Sequence, residues 1–247
     1  MNAWRLIESP AAAGDWNMAV DAALMDSVAA GGPCTLRFYR WEAPTLSLGY
    51  FQAAAQRDEH APSRDCPLVR RATGGGAIVH DIEITYSLVL PAEHPRAALA
   101  QELYQLLHET LVEVLGEWHI AATICPRGDK LSAHEEPFLC FQRRAAGDVL
   151  LGESKIAGSA QRRRRGAILQ HGSVLLSKSR AAPELFGISD LGGTVVPAHD
   201  LQGAWRDRLG RRCEVCWRAE GLSVEETGRA ARLVEEIYGQ LDWTRRR

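Results

Sequence analysis

The chain has 247 residues, 46% of them apolar, and a formal net charge of −2 at pH 7. That length suits one large domain or two small ones with a substantial core, and the near-neutral balance excludes a global nucleic-acid-binding character. No run of eighteen apolar residues is present, so no membrane-spanning helix is expected, and Met1-Asn2-Ala3-Trp4-Arg5 lacks the apolar core of a signal peptide, so a cytoplasmic protein is expected.

Ala3 to Glu8 reads as a first strand. Asp15 or Asn17 can cap a helix running to about Ala30, with Ala19, Ala22 and Ala23 allowing close packing, and Gly31-Gly32-Pro33 ends it. Thr35 to Tyr39 and Thr45 to Leu48 follow as strands. The most informative stretch comes next: Arg70-Arg71-Ala72-Thr73-Gly74-Gly75-Gly76-Ala77-Ile78-Val79-His80-Asp81. Each glycine loses more backbone freedom on folding than any other residue, so three in a row belong where the chain turns sharply or a ligand lies against it. No Gly-Lys-Ser/Thr follows, which excludes a P-loop, and no helix opens there, which excludes a dinucleotide fingerprint. With Leu68 to Arg71 before the glycines and Ala77 to His80 after them, the segment reads as a substrate-lined hairpin.

Ile84 to Leu90 alternates as a strand. A helix is expected from about Arg96 to Leu115, on which Leu99, Leu103, Leu106, Leu107, Leu111, Val114 and Leu115 form one apolar stripe. Ile120 to Ile124 reads as a strand, and Cys125 to Pro137 as a long polar loop of the kind that is often functional. His134 in that loop is given no role. Asp148 to Leu151, Lys155 to Gln161 and Ala167 to Leu176 read as three strands. The tail carries a helix near Ala198 to Leu209 and another from Ser223, where Ser223-Val224-Glu225-Glu226 is a capping box ahead of Leu233, Ile237 and Leu241. Strands arriving in clusters around one long helix indicate a mixed α+β fold rather than a doubly wound sheet.

Six scattered cysteines are expected as free thiols. Cys213-Glu214-Val215-Cys216 has a metal-like spacing, but on a short strand from Arg212 to Trp217 residues three apart face opposite sides, and no metal site is expected. Cys140, beside Phe138 and Phe141, reads either as a small buried hydrophobe or as a nucleophile. Lys155 reads either as an edge-strand lysine or, followed by small residues, as part of a strand pressed against a ligand. Arg70 and Arg71 are either solvated or placed to bind a phosphate, of AMP or of a phosphopantetheine arm. His80 and His171 are either bases or hydrogen-bonding residues that shape a pocket. Arg162 to Arg165 is either an exposed hairpin tip or a docking site for an acidic partner.

Five ordered segments carry a resemblance: Trp16-Asn17-Met18-Ala19-Val20-Asp21, the stretch from Pro44 to Gln52, the glycine motif, Lys155-Ile156-Ala157-Gly158-Ser159-Ala160-Gln161, and Leu169-Gln170-His171-Gly172-Ser173-Val174-Leu175-Leu176. Together they resemble the biotin/lipoate protein ligase superfamily over nearly the whole chain. Cys140-Phe141, its interval to Lys155, and Ile82 to Ser87 after His80-Asp81 are similar to the octanoyl-acyl-carrier-protein:protein octanoyltransferase branch.

The resemblance implies a mixed, largely antiparallel sheet with flanking helices, like a class II synthetase core, in one catalytic domain over residues 1–247 without an accessory C-terminal domain. It implies Cys140 as the acyl-accepting nucleophile and Lys155 as the ammonium that favours its thiolate. It implies substrate binding by Arg70, Arg71, Thr73, Gly74, Gly75, Gly76 and His80, and by Ile156, Gly158, Ser159, Ala160, His171 and Gly172. The physical case is that thioester exchange needs a thiolate, and a nearby ammonium stabilises that form. The implied reaction is a ping-pong transfer of octanoate from acyl carrier protein to a lysine of a lipoyl-accepting protein, either the glycine cleavage H protein or a dehydrogenase E2 domain. It needs no cofactor or metal, and a monomer is expected. The other readings are an ATP-dependent lipoate or octanoate ligase, an octanoyl amidotransferase between carrier proteins, and a non-catalytic acyl-protein-binding relative.

Overall fold

A computed structural model describes residues 2–132 and 136–246; His134 and the middle of its loop lie outside the described residues. The strands and helices, in chain order, are β1 (Asn2–Ala12), α1 (Gly14–Ala29), β2 (Thr35–Trp41), β3 (Thr45–Leu48), β4 (Leu68–Arg70), β5 (Ile78–His80), β6 (Glu83–Pro91), α2 (Ala100–Glu117), β7 (Ala122–Ile124), β8 (Val149–Leu151), β9 (Ser154–Arg164), β10 (Ala167–Leu175), α3 (Ile188–Gly192), α4 (Ala198–Cys213), β11 (Val215–Ala219), α5 (Val224–Leu233) and α6 (Leu241–Thr244).

Eight strands form one sheet in the order β11-β1-β2-β6-β10-β9-β8-β7. β1 runs parallel to β11 and β2, and every other neighbour is antiparallel. The expected mixed, largely antiparallel α+β fold is therefore present. A small sheet, β4-β3-β5, lies beside it. Among the described residues no helix is long and apolar enough to cross a membrane.

Period-two alternation separates the two faces of the large sheet. On β6, Ile84, Tyr86, Leu88 and Leu90 face a core completed by Leu103, Leu107 and Leu111 of α2 and Trp205 of α4. Val89 of β6 and Leu169 of β10 face the opposite core, under Met18, Val20 and Leu24 of α1 and Leu233 of α5. That second face also carries buried polar residues, Thr85 and Ser87 on β6 and His171 and Ser173 on β10. Polar side chains in a buried strand need partners, and they mark where the cavity lies. A third cluster, with Leu46, Leu48, Val79, Leu139 and Phe141, joins the small sheet to the Cys140 segment.

Several sequence expectations need correction. The glycine run is not a simple hairpin, because β3 sits between β4 and β5. Helix α1 starts earlier than expected, with Ala13 at its N-cap and no side-chain cap. Asn17 is instead inside the helix and fully buried, with its amide donating to the Ala12 and Arg40 carbonyls. The long helix begins only at Ala100; Pro95–Ala97 form a 3-10 turn and Leu99, 59% exposed, lies outside the stripe. Cys213 ends α4 rather than sharing a strand with Cys216, because Glu214 turns the chain in a left-handed conformation, φ 58°. The capping box at Ser223 forms as read, with Ser223 Oγ accepting from Glu226 N at 3.1 Å. Glu226 also pairs with Arg5 at 2.6 Å, a buried link between α5 and β1.

Candidate active site

The glycine turn is built around one guanidinium. Arg71, buried at the end of β4, donates Nη2 to the carbonyls of Gly74 (2.8 Å) and Gly76 (2.7 Å), and Nη1 to Ser47 O (3.1 Å). Three bare backbone units curl about it, and Gly75 takes φ +94°, which an L side chain rarely adopts. Burial pulls the Arg71 guanidinium down to about 10, while the nearby Cys140 sulfur acts the other way. Its Nε has no hydrogen-bond partner among the described residues. The guanidinium thus brings a buried positive charge to the cavity wall.

Cys140 is clamped to this turn. Ala77 N donates to Phe138 O and Cys140 N donates to Ala77 O, both at 2.8 Å. A Cβ on Gly76 would lie 3.0 Å from Cys140 N, so the glycine lets the two segments meet, and a Cβ on Gly75 would lie 3.7 Å from Cys140 Sγ. From β9, Lys155 reaches the same sulfur at 3.8 Å and donates toward it. The same ammonium forms a 2.9 Å ion pair with Asp148 Oδ2 and lies 5.2 Å from the Phe141 ring centroid. Gly158 makes room for it, since a Cβ there would sit 2.5 Å from Lys155 Cε and 2.8 Å from Nζ.

Asp148, fully buried, is fixed from three sides: Lys155, the Tyr104 hydroxyl (2.7 Å) and Ala145 N (2.6 Å). The Tyr104 hydroxyl in turn accepts from Ser159 N at 3.3 Å. His108 of α2 completes the network. Its Nδ1 lies 2.6 Å from Gly147 O, which can only accept, so Nδ1 carries the proton. Burial lowers His108 to about 4, so the ring is neutral, and its Nε2 accepts from Ser159 Oγ at 2.6 Å. Tyr86 then donates its hydroxyl to Ser159. Burial pushes Tyr86 up to about 12, and burial followed by the Asp148 charge pushes Tyr104 up as well.

A cavity of about 320 Å³ opens between the glycine turn and β9–β10, a volume at the small-ligand scale of about 300–1,000 Å³. Its wall includes Cys140, Lys155, Arg71, Gly74, Gly75 and His80, with Gly158, Ser159, Ala160, His171 and Gly172. Both histidines are held at both nitrogens. His80 lies 2.6 Å from Glu83 and 2.8 Å from Ser47 Oγ and stacks on Trp41 at 4.0 Å. His171 lies 2.6 Å from Thr73 Oγ1 and 3.3 Å from Asp21. Thr73 thereby ties the glycine turn to the sheet without lining the cavity.

Other expected site residues lie elsewhere. Arg70 is neither solvated nor placed for a phosphate in the cavity. It is fully buried and its guanidinium holds main-chain carbonyls of Gly49 (2.8 Å), Gln52 (2.7 Å) and Thr244 (2.8 Å), which ties α6 to β3 and β4. Ile156 faces the α2 core, and Gly76 lies behind Cys140 rather than in the wall. The sequence reading missed Asp148, Tyr104 and His108. No local pattern in α2 singles them out, although Tyr104 and His108, at i and i+4, share one helix face.

The lipoyl protein ligase A/B catalytic domain model matches residues 14–186. The chain belongs to this family. An octanoyltransferase LipM of Moorella thermoacetica is 32% identical, over 99% of this chain and 98% of that one. One of Symbiobacterium thermophilum is 34% identical over the same shares. One of Clostridioides difficile is 37% identical over 71% of this chain and 66% of its own length. The family match and these relatives make the chain an enzyme of the octanoyltransferase kind, acting in protein lipoylation. A bi-partite lipoate protein ligase from Thermoplasma acidophilum superposes with a TM-score of 0.77 at 21% identity, over 99% of this chain and 97% of that one. A lipoate-protein ligase A bound with ATP gives 0.75 at 23% identity, with 99% of both chains covered. At these identities the likeness is one of fold.

Proposed function

We propose that the chain transfers an octanoyl group from acyl carrier protein to a lysine of a lipoyl-accepting protein, through a thioester on Cys140. The observation that carries the reading is the 3.8 Å approach of Lys155 Nζ to Cys140 Sγ in the cavity wall. The Cys140 thiolate attacks the thioester carbonyl. The carrier thiolate leaves and takes a proton from the Lys155 ammonium. In the second half, the neutral acceptor amine attacks the Cys140 thioester, Lys155 takes the amine proton, and the thiolate–ammonium pair is restored. Atoms and protons balance over the cycle without ATP, as ping-pong chemistry requires.

Asp148 holds Lys155 in place, and the Arg71 guanidinium supplies a second positive charge beside the sulfur as the tetrahedral oxyanion forms. Gly74, Gly75, Ala160 and Gly172 line the space for the chain, Gly158 leaves room for Lys155, and His80, Ser159 and His171 fix the walls. Thr73 and Gly76 hold the turn. One catalytic domain over 1–247 and a cytoplasmic monomer belong to this reading. The glycine cleavage H protein and dehydrogenase E2 domains are its acceptors.

The test is to mix the protein with octanoyl-acyl carrier protein and weigh it intact. A single octanoyl adduct that disappears in Cys140→Ala is expected. An adduct that survives the substitution, or octanoyl transfer to the acceptor that depends on ATP and ignores Cys140→Ala, overturns the reading.

A further inference from the structure

Arginine charge is neutralised where α4 packs on α2 and is left unpaired along the β9–β10 hairpin. On α2 and α4, Arg208 pairs with Glu113 and Glu117, and Arg212 with Glu109 and Glu113. At the β9–β10 hairpin, Arg162, Arg163, Arg164 and Arg165 have no carboxylate partner among the described residues, and neither do Arg245 and Arg246 of the tail. Arg162 donates to the Ala72 carbonyl and Arg163 to those of Ala92 and Ala97. Those bonds fix the hairpin but leave its charge in place.

Hairpin and tail meet on one ring. The Arg246 guanidinium lies 4.2 Å from the Tyr50 ring centroid and that of Arg162 lies 5.4 Å from it. Phe51, 68% exposed, stands edge-on to Tyr50 at 4.9 Å. A shallow groove bounded by Tyr50, Phe51, Gly74, Gln161, Arg162 and Arg163 runs across this face. Gly74 and Gln161 also line the main cavity, so the groove adjoins the cavity at those two residues.

We propose that this face docks the acidic acyl carrier protein that donates the octanoyl group, and not the acceptor. The inference rests on the acyl-transfer reading above. The choice between the two partners follows from the charge each brings to the mouth. The donor presents its acyl group on an arm joined by a phosphodiester, the group that arginine forks bind best. The acceptor presents a lysine ammonium, which a ridge of unpaired arginines repels. Phe51 supplies an apolar contact at the centre of a charged rim, the arrangement of a protein-docking hot spot. Rim charges act mainly on the encounter rate, so the effect falls as salt rises.

The test uses the full chain carrying Arg164→Glu and Arg246→Glu, both at exposed positions outside the cavity. Acylation is followed by intact mass with octanoyl-acyl carrier protein and, separately, with octanoyl-N-acetylcysteamine. Transfer from preloaded acyl-enzyme to an isolated lipoyl domain is followed as a third reaction. The expected result is a tenfold or greater rise in KM for the carrier and a flattened salt dependence, with the small thioester and the acceptor step unchanged. No change with the carrier, an equal loss with the small thioester, or a defect confined to the acceptor step overturns the proposal. If neither thioester acylates the wild-type protein, the acyl-transfer reading fails instead. Direct binding of holo-acyl carrier protein then decides the docking: binding that the double substitution abolishes sustains it, and no binding by wild type sinks it.

Discussion

The Asp148 carboxylate holds the Lys155 ammonium at 2.9 Å, and that contact sets where the one cation nearest Cys140 Sγ points. A lysine has four side-chain torsions and would not stay at a sulfur 3.8 Å away without such a tether. Asp148 is itself immobile, since Tyr104 and Ala145 N occupy its remaining oxygen positions. Asp148→Asn keeps the shape and removes the charge. Acyl-enzyme formation is expected to slow about 100-fold, the scale of an ångström-sized misplacement. Losing one partner of a buried pair also costs about 3–5 kcal/mol of stability. Single-turnover acylation and chemical denaturation of the same variant measure both; a variant with unaltered acylation removes Asp148 from the site.

Gly158 gives a sharper probe of the same geometry. An added methyl would stand 2.5 Å from Lys155 Cε and 3.1 Å from Asp148 Oδ1, so Gly158→Ala pushes the ammonium away while both charges remain. Loss of acylation by about 100-fold is expected with the fold kept. Far-ultraviolet circular dichroism with intact-mass kinetics checks this. Wild-type rates in the variant would show that the lysine position is not limiting.

Much of this was legible in the sequence for specific reasons. The glycine run, Lys155 with its small neighbours and Cys140 carry local signals, and their order fixed the family resemblance. The alternation of Ile84, Tyr86, Leu88 and Leu90 was readable as a strand with one apolar face. Asp148, Tyr104 and His108 were not, because their meaning lies in contacts from α2 to Asp148 and to Ser159 of β9, 44 and 51 residues apart, that no local pattern encodes. Arg70 and Arg71 look alike in sequence. Both guanidiniums bind main-chain carbonyls, but on opposite sides of the chain: Arg70 ties β3 to α6, and Arg71 holds the glycine turn. Leu99 matched the apolar spacing of α2, yet the helix starts after it.

Buried His108 makes stability depend on pH in a defined window. The unfolded chain takes up a proton near 6.5, whereas the folded ring does so only near 4, chiefly because burial opposes the charge. The unfolded state therefore binds more protons between those values. The contribution is complete above pH 6.5 and is lost as pH falls toward 4, about 3 kcal/mol in all. His108→Gln keeps a donor and an acceptor but does not titrate, and should remove that slope. Urea denaturation of both proteins from pH 7 to pH 4 decides it; parallel curves would place the titration elsewhere.

Met18 sets the far wall of the cavity. It lines the main cavity and also a second small void, bounded by Ala22, Met25, Leu169 and Tyr238 and by the polar Asp21, Asp26, Arg162, Arg164 and His171, so its side chain lies with His171 between the two. Cys140 is held over β9, whereas α1 crosses β10 and β6. One to two interstrand spacings, about 5–10 Å, therefore separate the thiol from this wall. Met18→Ala joins the two spaces. Two further CH₂ groups then find burial against Ala22, Met25 and Leu169, at most about 0.8 kcal/mol each beside the charged part of the lining, so the preference for decanoyl over octanoyl should rise, by up to about 15-fold. Truncating a buried methionine also costs about 2–5 kcal/mol, so the melting temperature is followed in parallel and the comparison is made well below it. The measurement is a competition between octanoyl- and decanoyl-N-acetylcysteamine, scored by the mass of the Cys140 adduct. An unchanged ratio in a folded Met18→Ala protein would mean that the acyl chain ends short of α1, and that Tyr39, Ile78 and His80 form its stop instead.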